Sequence, residues 1–453
     1  MTTTPADDSA KPGWADTLAV YLRPRVLIVM FLGFSSGLPL ALSGSTLLYW
    51  AAEAKLDLRT IGLFALVGTP YTFKFVWAPL VDAFDVPLLG RLGRRRGWLI
   101  FSQLILIATI LFLGSCNPAT APGLVALGAL AVAAASATQD IVVDAFRVDS
   151  LADNEQAAGM ASYVAAYRIG MLASGAGALL AVTVFEELGF TRPGAWTGSY
   201  AVMAALVVVG IATTLVATEP EKSAQANRAR AGMSAFQRLT STVAGAFSDL
   251  FLREGVLVAL VVLAFIILFK LTDALAGVMT GPFTVQLGFT RNEYAAIIKG
   301  LGLAATLIGG FAGGYVARAF PMATSLWIGG IIQALANFAF VGQAIVGRDL
   351  AWLSFAITVE NFTSAIGTVI FVAYLSSLCK NPLHTATQFA LFTALSAFGR
   401  TYLSATAGSI AAAAGWAWFF AICAAAAIPG LLLLAFLQAR GHFAALARKP
   451  TAT

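Results

Sequence analysis

Stretches of about 20 apolar residues, the length a helix needs to cross a bilayer core, recur twelve times along this chain. They fall near 27–51, 58–82, 98–117, 121–147, 157–185, 197–217, 254–284, 292–318, 323–346, 351–378, 385–412 and 415–438. Inside lipid, every backbone N–H and C=O must find a partner within the segment, so runs of this length read as helices. Composition agrees. Of 453 residues, 59% are hydrophobic and 11% charged, and the mean hydropathy is +0.83; a soluble domain carries more charge. The expected fold class is an all-α membrane protein of about twelve transmembrane helices, embedded in a lipid bilayer.

Several function classes fall away early. Residues 1–24 are polar, and the first apolar segment follows them without a small-residue cleavage site. That segment is expected to act as its own insertion signal. Cys116, Cys379 and Cys423 show neither a disulfide framework nor metal-ligand spacing. His384 and His442 lie in or beyond loops, so no metal site or histidine catalyst is expected within the membrane. There is no P-loop and no cofactor motif, so ATP is not an evident energy source and no cofactor is expected. The net charge of +6 follows from loop placement and calls for no nucleic-acid partner.

Loop charge sets the orientation, because cytoplasmic loops collect Lys and Arg. The N-terminal tail and even-numbered loops hold Lys11, Arg23, Arg25, Arg91, Arg94, Arg95, Arg96, Arg147, Lys222, Arg228, Arg230, Arg238, Arg253, Arg318 and Lys380, and the C-terminal tail adds Arg440, Arg448 and Lys449. The odd-numbered loops hold only Lys55, Arg59, Arg192, Arg291 and Arg348. Both termini are therefore expected in the cytoplasm. The polar stretch 219–253 divides the segments six and six. This gives a tail (1–24), a first bundle (25–218), a linker (219–253), a second bundle (254–438) and a tail (439–453). The halves echo each other weakly: Leu56-Asp57-Leu58-Arg59 before segment 2 resembles Gly288-Phe289-Thr290-Arg291 before segment 8. Each follows a segment with Gly and Pro, at Gly37 and Pro39 and at Gly281 and Pro282, where breaks are expected. Parallel six-helix repeats fit a rocking transporter with its substrate site between the repeats.

The charges inside the segments are the most informative feature. One such side chain at the bilayer centre costs about 2.5–3.5 kcal/mol even on the lenient insertion scale, so each is expected to face a cavity or a partner. They are Lys74 in segment 2, Asp140 and Asp144 in segment 4, Arg168 in segment 5, Lys270 and Asp273 in segment 7, Lys299 in segment 8, Glu360 in segment 10 and Arg400 in segment 11. Segments 3, 6, 9 and 12 have none in their cores and read as supports. Asp140 and Asp144 are i,i+4 and share a helix face, as do Tyr163 and Tyr167. Lys270 and Asp273 are i,i+3, and such a pair either fixes packing or serves the pathway. Asp144 with Arg147 suits a gate or loop anchor. Arg168 and Arg400, one in each half and without a partner in their own helices, are the leading ligand candidates. Lys299 has a stem long enough to snorkel to water.

Between segments 2 and 3 the chain reads Gly90-Arg91-Leu92-Gly93-Arg94-Arg95-Arg96-Gly97, preceded by Asp82 and Asp85. This resembles the cytoplasmic signature loop of the major facilitator superfamily, in which a carboxylate at the helix end can pair with the arginines. Further stretches are similar to the AmpG-type muropeptide permeases of that superfamily. They include Phe31 to Leu40, Ile61-Gly62-Leu63-Phe64, Trp77-Ala78-Pro79-Leu80, Ala137-Thr138-Gln139-Asp140, Tyr167-Arg168-Ile169-Gly170, Glu360-Asn361-Phe362 and Ala386-Thr387-Gln388-Phe389. The resemblance runs from about residue 25 to 437 and implies the major facilitator fold, two six-helix bundles.

It also implies proton-driven import of 1,6-anhydro-muropeptides for cell-wall recycling and, in some bacteria, β-lactamase induction, by an inner-membrane protein. A monomer is expected. The branch includes siderophore and acyl-CoA carriers, which stay open as alternatives, as does a membrane-embedded acyltransferase. The residue chemistry is compatible with the implied substrate. Arg168 and Arg400 can hold carboxylates in a bidentate fork, with Lys74 and Lys270 as further cations. Tyr163 and Tyr167 can stack on sugar faces, and Gln139, Asn361 and Gln388 can bond hydroxyls or amides. For the coupling proton, Glu360 ranks first and Asp140 second. Asp273 ranks lower because Lys270, one turn away, favours a permanent pair.

Overall fold

The computed structural model describes residues 19–152, 155–220, 251–252, 255–378 and 385–447. Residues 1–18, most of the 219–253 linker, Cys379, His384 and the side chains of Asp82 and Gln388 lie outside the described residues. Regular structure among the described residues is helical, with no strand.

The first half is built from α1 to α6. Helix α1 runs Pro24–Ser43 and, after a break at Gly44, Ser45–Glu53. Helix α2 is a chain of short pieces, Leu58–Leu63, Phe64–Gly68, Thr69–Phe73, Lys74–Val76 and Ala78–Ala83. Pro70 and Pro79 each enter near the start of a piece, where the missing N–H costs least. Helices α3 (Arg94–Ser115) and α4 (Pro122–Ser150) follow. Helix α5 is Gln156–Leu172, continued through a π-helical turn, Ala173–Gly177, into Ala178–Glu187. Helix α6 is Arg192–Val216.

The second half repeats the plan. Helix α7 is Val256–Leu268 and Leu271–Gln286. Helix α8 is Arg291–Tyr294, a π-helical stretch Ala295–Leu301, and Gly302–Ala319. Helices α9 (Met322–Val346) and α10 (Leu350–Leu378) are unbroken. Helix α11 is Thr385–Leu403, a tight turn Ser404–Thr406, and Ala407–Ala414. Helix α12 is Trp416–Ala425 and Ala427–Ala439, and a short α13, His442–Ala447, follows it. Ten of these helices are long and apolar enough on their own to cross a membrane. The other two of the expected twelve, α2 and α11, are interrupted, and their length comes from several pieces.

Two expectations about breaks are corrected. Pro39 and Pro282 sit inside regular helix. The first break falls at Gly44, whose φ of −114° and ψ of −111° lie off the helical region, and the α7 break falls at Phe269 and Lys270. The repeat echo, by contrast, has a structural basis. Asp57 caps α2 by accepting from the Thr60 amide at 3.0 Å, and Thr290 caps α8 with a full capping box to Glu293. Each stretch thus opens the second helix of its half with a side-chain cap, offset by one residue between the two.

The halves meet at the end of the molecule opposite the chain termini. There the outer piece of α1 packs on α7, the first piece of α2 on the last of α11, and the π segment of α5 on that of α8. Glycines permit the approach: a Cβ on Gly62 would come within 2.8 Å of the Gly408 amide. Midway along, Thr69 and Tyr402 hydroxyls lie 3.1 Å apart. Between the inner ends, on the side of the termini, the described helices of opposite halves share no comparable packing. A cavity is thus closed outward and open toward the termini.

Candidate functional site: a charged cavity between the two halves

The second half supplies a polar wall. A cavity of about 430 Å³ is lined by Lys270 and Asp273 from α7, Glu360, Ser364, Thr368 and Phe371 from α10, and Thr393, Ser396 and Arg400 from α11. The α7 break puts Lys270 at the start of a new helix, so its side chain and that of Asp273, one turn on, emerge together. They form an ion pair. Lys270 also donates to Thr368 Oγ1 at 3.1 Å, and Ser364 Oγ donates to Asp273 Oδ2 at 2.6 Å. Two charges and two hydroxyls therefore make one compact, largely satisfied cluster. Glu360 accepts from Asn361 Nδ2 at 2.8 Å, and Asn361 Oδ1 accepts from Thr306 at 3.2 Å. Arg400 is exposed to the cavity, and its side chain makes no hydrogen bond or ion pair among the described residues. A guanidinium presenting five donors without a carboxylate can take an anionic ligand in a fork.

The first half supplies a different wall. Asp140 is buried on α4 and accepts a hydrogen bond from Ser36 Oγ of α1. The Tyr163 and Tyr167 rings lie 6.0 Å apart on α5. Gln139 is fully buried, and neither atom of its amide has a hydrogen-bond partner among the described residues; the buried Tyr71 and Ser136 hydroxyl oxygens likewise have none there. Groups of this kind ordinarily hold ordered water. Lys74 lies 4.0 Å from Asp144, and Arg147 3.8 Å from the same carboxylate, so the α4 end carries a three-membered charge cluster. Arg168 is exposed on α5 and has no hydrogen bond or ion pair among the described residues.

The arginine-rich loop is tied down by carboxylates far away in sequence. Glu219, just past α6, accepts from the Arg95 and Arg96 amides at 2.8 and 3.1 Å. An anion thereby caps the α3 N-terminus, where the helix dipole favours it. Arg95 pairs with Asp149 at 3.2 Å, and Arg96 donates to the Thr214 and Leu215 carbonyls that end α6. Gly93, with φ +104°, allows Glu219 to come in: a Cβ there would lie 2.5 Å from the carboxylate. At the same inner end, Arg23 reaches Glu155 at 2.9 Å. That hydrogen bond, followed by one from the Ala152 amide, holds the Glu155 carboxyl below the usual carboxylate range. His442, expected beyond the loops, is buried, its ring nitrogen 3.1 Å from the Tyr374 hydroxyl.

Three features of the site were missed from sequence. Ser36, Ser364 and Thr368, partners of the cavity charges, are small residues on other helices and carry no local mark. Arg291 was counted only as loop charge. It is 8% exposed and bridges the halves, contacting Glu53 Oε1 of α1 at 2.6 Å and Glu186 of α5. Lys299 does not snorkel; its ammonium crosses to the other half and donates to Ser45 Oγ at 2.7 Å, because the π-helical stretch turns its side chain toward the break in α1.

Two helical bundles closing on one side of a charged cavity define a membrane transporter. The sequence matches the Major Facilitator Superfamily over residues 29–402, and the chain belongs to that family. It is 40% identical over 419 residues to the anhydromuropeptide permease of Escherichia coli strain K12, covering 92% of this chain and 80% of that one. It is 34% identical to putative transporter AmpG 4 of Rickettsia felis, covering 91% and 96%. Its fold is that of a POT family transporter solved with 5-aminolevulinic acid, with a TM-score of 0.67 at 11% identity over 93% and 96% of the chains. It is also that of the xylose transporter XylE in an inward open conformation, with a TM-score of 0.63 at 12% identity over 91% and 95%.

Proposed function

We propose that this protein imports anhydro-muropeptides from the periplasm to the cytoplasm for peptidoglycan recycling, by alternating access coupled to protons. The observation that carries the reading is the 40% identity to the anhydromuropeptide permease of Escherichia coli, sustained over 92% of the chain. The cavity supports it chemically. A muropeptide joins an amphipathic disaccharide to a peptide bearing carboxylates; the cavity offers Arg400 free of any carboxylate partner among the described residues and hydroxyls from α10 and α11, and the first half adds paired tyrosines on α5.

The bundles are 25–218 and 254–438, joined by a cytoplasmic linker, and the protein acts as a monomer in the inner membrane. The Lys and Arg bias puts both termini in the cytoplasm. The cavity, open toward the termini, then faces inward, as after substrate release. Proton coupling needs a carboxyl that loads on one side and unloads on the other. Glu360 fits that part: it lines the cavity and is bonded to a neutral amide, whereas Asp273 is committed to Lys270. Asp140, held by Ser36, is the second candidate. The test is uptake of labelled anhydro-muropeptide into right-side-out vesicles with and without a protonophore. Accumulation abolished by the protonophore is expected, and absence of uptake from vesicles containing the folded protein overturns the reading.

A further inference from the structure

Lys299 is a partly buried ammonium with no acidic partner among the described residues. Its one hydrogen bond among the described residues is to the neutral Ser45 Oγ, 2.7 Å away, and the Tyr294 ring lies 5.9 Å from it. Arg291, buried near the same closed end, is arranged differently, with both Glu53 and Glu186. An ammonium at this depth is expensive to keep, and hydroxyl-only company leaves most of its charge uncompensated.

Its position is informative. Gly302, one turn further along α8, packs against Asn361: a Cβ there would lie 3.2 Å from Nδ2. Asn361 in turn holds Glu360. Lys299 therefore sits about 5 Å, one helical turn, outward of the Glu360 layer, at the closed end of the cavity. Its stem lies over Gly175 in the α5 π turn, where a Cβ would be 3.3 Å from Cδ and Cε and 3.7 Å from Nζ. The glycine leaves the lysine its channel between α1, α5 and α8. Both π turns, Ala173–Gly177 and Ala295–Leu301, meet at this point. Bulges of this kind re-aim side chains and frequently mark functional positions.

We propose that Lys299 is a specificity-determining residue that binds one carboxylate of the transported solute at the outer end of the cavity. The proposal rests on the muropeptide reading. The hydrogen bond to Ser45 spans the two halves, so it exists only while the outer end is closed; when that end opens, the ammonium loses Ser45 and faces the entering solute. A carboxylate then supplies the opposite charge that no described residue supplies. On closure and release, Ser45 takes the ammonium back. Lys299 thus lies nearer the outer end of the cavity, and Arg400 deeper.

The experiment measures kcat/KM for uptake of a free-acid anhydro-muropeptide and of a series amidated at one carboxylate each, by wild type, Lys299→Gln and Lys299→Arg. Lys299→Gln is expected to lower uptake of the free acid about tenfold and to have no effect on one of the mono-amides, whose missing charge is the one the lysine reads. Lys299→Arg should restore most of the preference for the acid. If Lys299→Gln lowers the acid and every mono-amide by the same factor, the lysine only ties the halves together and the proposal is overturned. It is equally overturned if Lys299→Gln leaves uptake of the acid unchanged. Wild-type protein that takes up neither acid nor amides overturns the muropeptide reading itself, and this proposal with it.

Discussion

Removing the Arg291 clamp should open the outer face. Arg291 stands at the first position of α8, fixed by the capping box of Thr290 and Glu293. Its guanidinium joins Glu53 at 2.6 Å and both oxygens of Glu186, one of them at 3.1 Å. Trp196 Nε1 holds Glu53 from behind at 3.0 Å. Breaking a buried pair by deleting one partner costs about 3–5 kcal/mol. The Glu186 side chain is 29% exposed and has Arg192 at 3.4 Å as a substitute partner. Solvent and that neighbour reduce the figure to about 2–3 kcal/mol. The clamp joins the halves only when the outer end is closed, so the loss appears in the opening equilibrium, as a shift of about 30- to 140-fold at 1.4 kcal/mol per decade. Ser404, 1% exposed at the contact between α11 and α2, reports opening. With the three native cysteines replaced, Ser404→Cys in spheroplasts should react slowly with an impermeant maleimide, and Arg291→Gln should speed the reaction by tens of fold. If a monodisperse Arg291→Gln protein labels at the wild-type rate, the clamp does not hold the outer face and the reasoning fails.

Three other outcomes are expected. Arg400→Lys keeps the charge but loses the planar fork, so uptake should fall about tenfold or more in kcat/KM; normal uptake by this variant rules out a bidentate carboxylate contact. Glu360→Gln should abolish uphill accumulation while counterflow exchange persists, and accumulation that still responds to a protonophore places the proton elsewhere. Glu155 has its carboxyl held below the usual range by Arg23, so its contribution to stability is present above the ordinary Glu value of about 4.3 and is lost as pH falls through the depressed one. The Tm difference between wild type and Glu155→Gln should be constant from neutral pH to about pH 5 and vanish at lower pH; a difference that grows on acidification contradicts the sign.

What could be read from the sequence was what is written locally. Twelve spans follow from runs of apolar residues; the structure has ten of them as helices long and apolar enough to cross a membrane, and α2 and α11 as chains of shorter pieces, with Pro70 and Pro79 entering pieces of α2. The Lys270–Asp273 pair is one helical turn apart and was visible as such. Family membership was visible in stretches such as Ala137 to Asp140 and Glu360 to Phe362. What could not be read depends on residues brought together from far along the chain. The signature loop was expected to use a carboxylate near its own start, at Asp82. The Asp82 side chain lies outside the described residues, so that expectation stays open; among the described residues the loop holds Glu219 and Asp149, which come from the ends of α6 and α4. Ser36 on Asp140 and Ser364 on Asp273 are hydroxyls that any membrane helix contains. Arg291 and Lys299 looked like outer-loop and snorkelling charge because their sequence neighbours offer no partner, and the partners lie in the other half.

The same two residues show how a repeated architecture becomes a directional one. Arg59 and Arg291 each close the four-residue stretch that opens the second helix of its half, Arg59 two residues past its cap Asp57 and Arg291 one past its cap Thr290. Arg59 is exposed, whereas Arg291 is buried between two carboxylates of the opposite half. One repeat thus carries the clamp and the other does not. Lys299, about two turns further along α8, lies on the same side of the interface and tracks the same event, since its bond to Ser45 also spans the two halves. A carrier must not rest too deeply in either state, or the trapped state limits turnover. The exposure of Glu186 and its sharing between Arg291 and Arg192 keep the clamp weaker than a dry buried pair. That is the strength expected of a contact that must break once in every cycle.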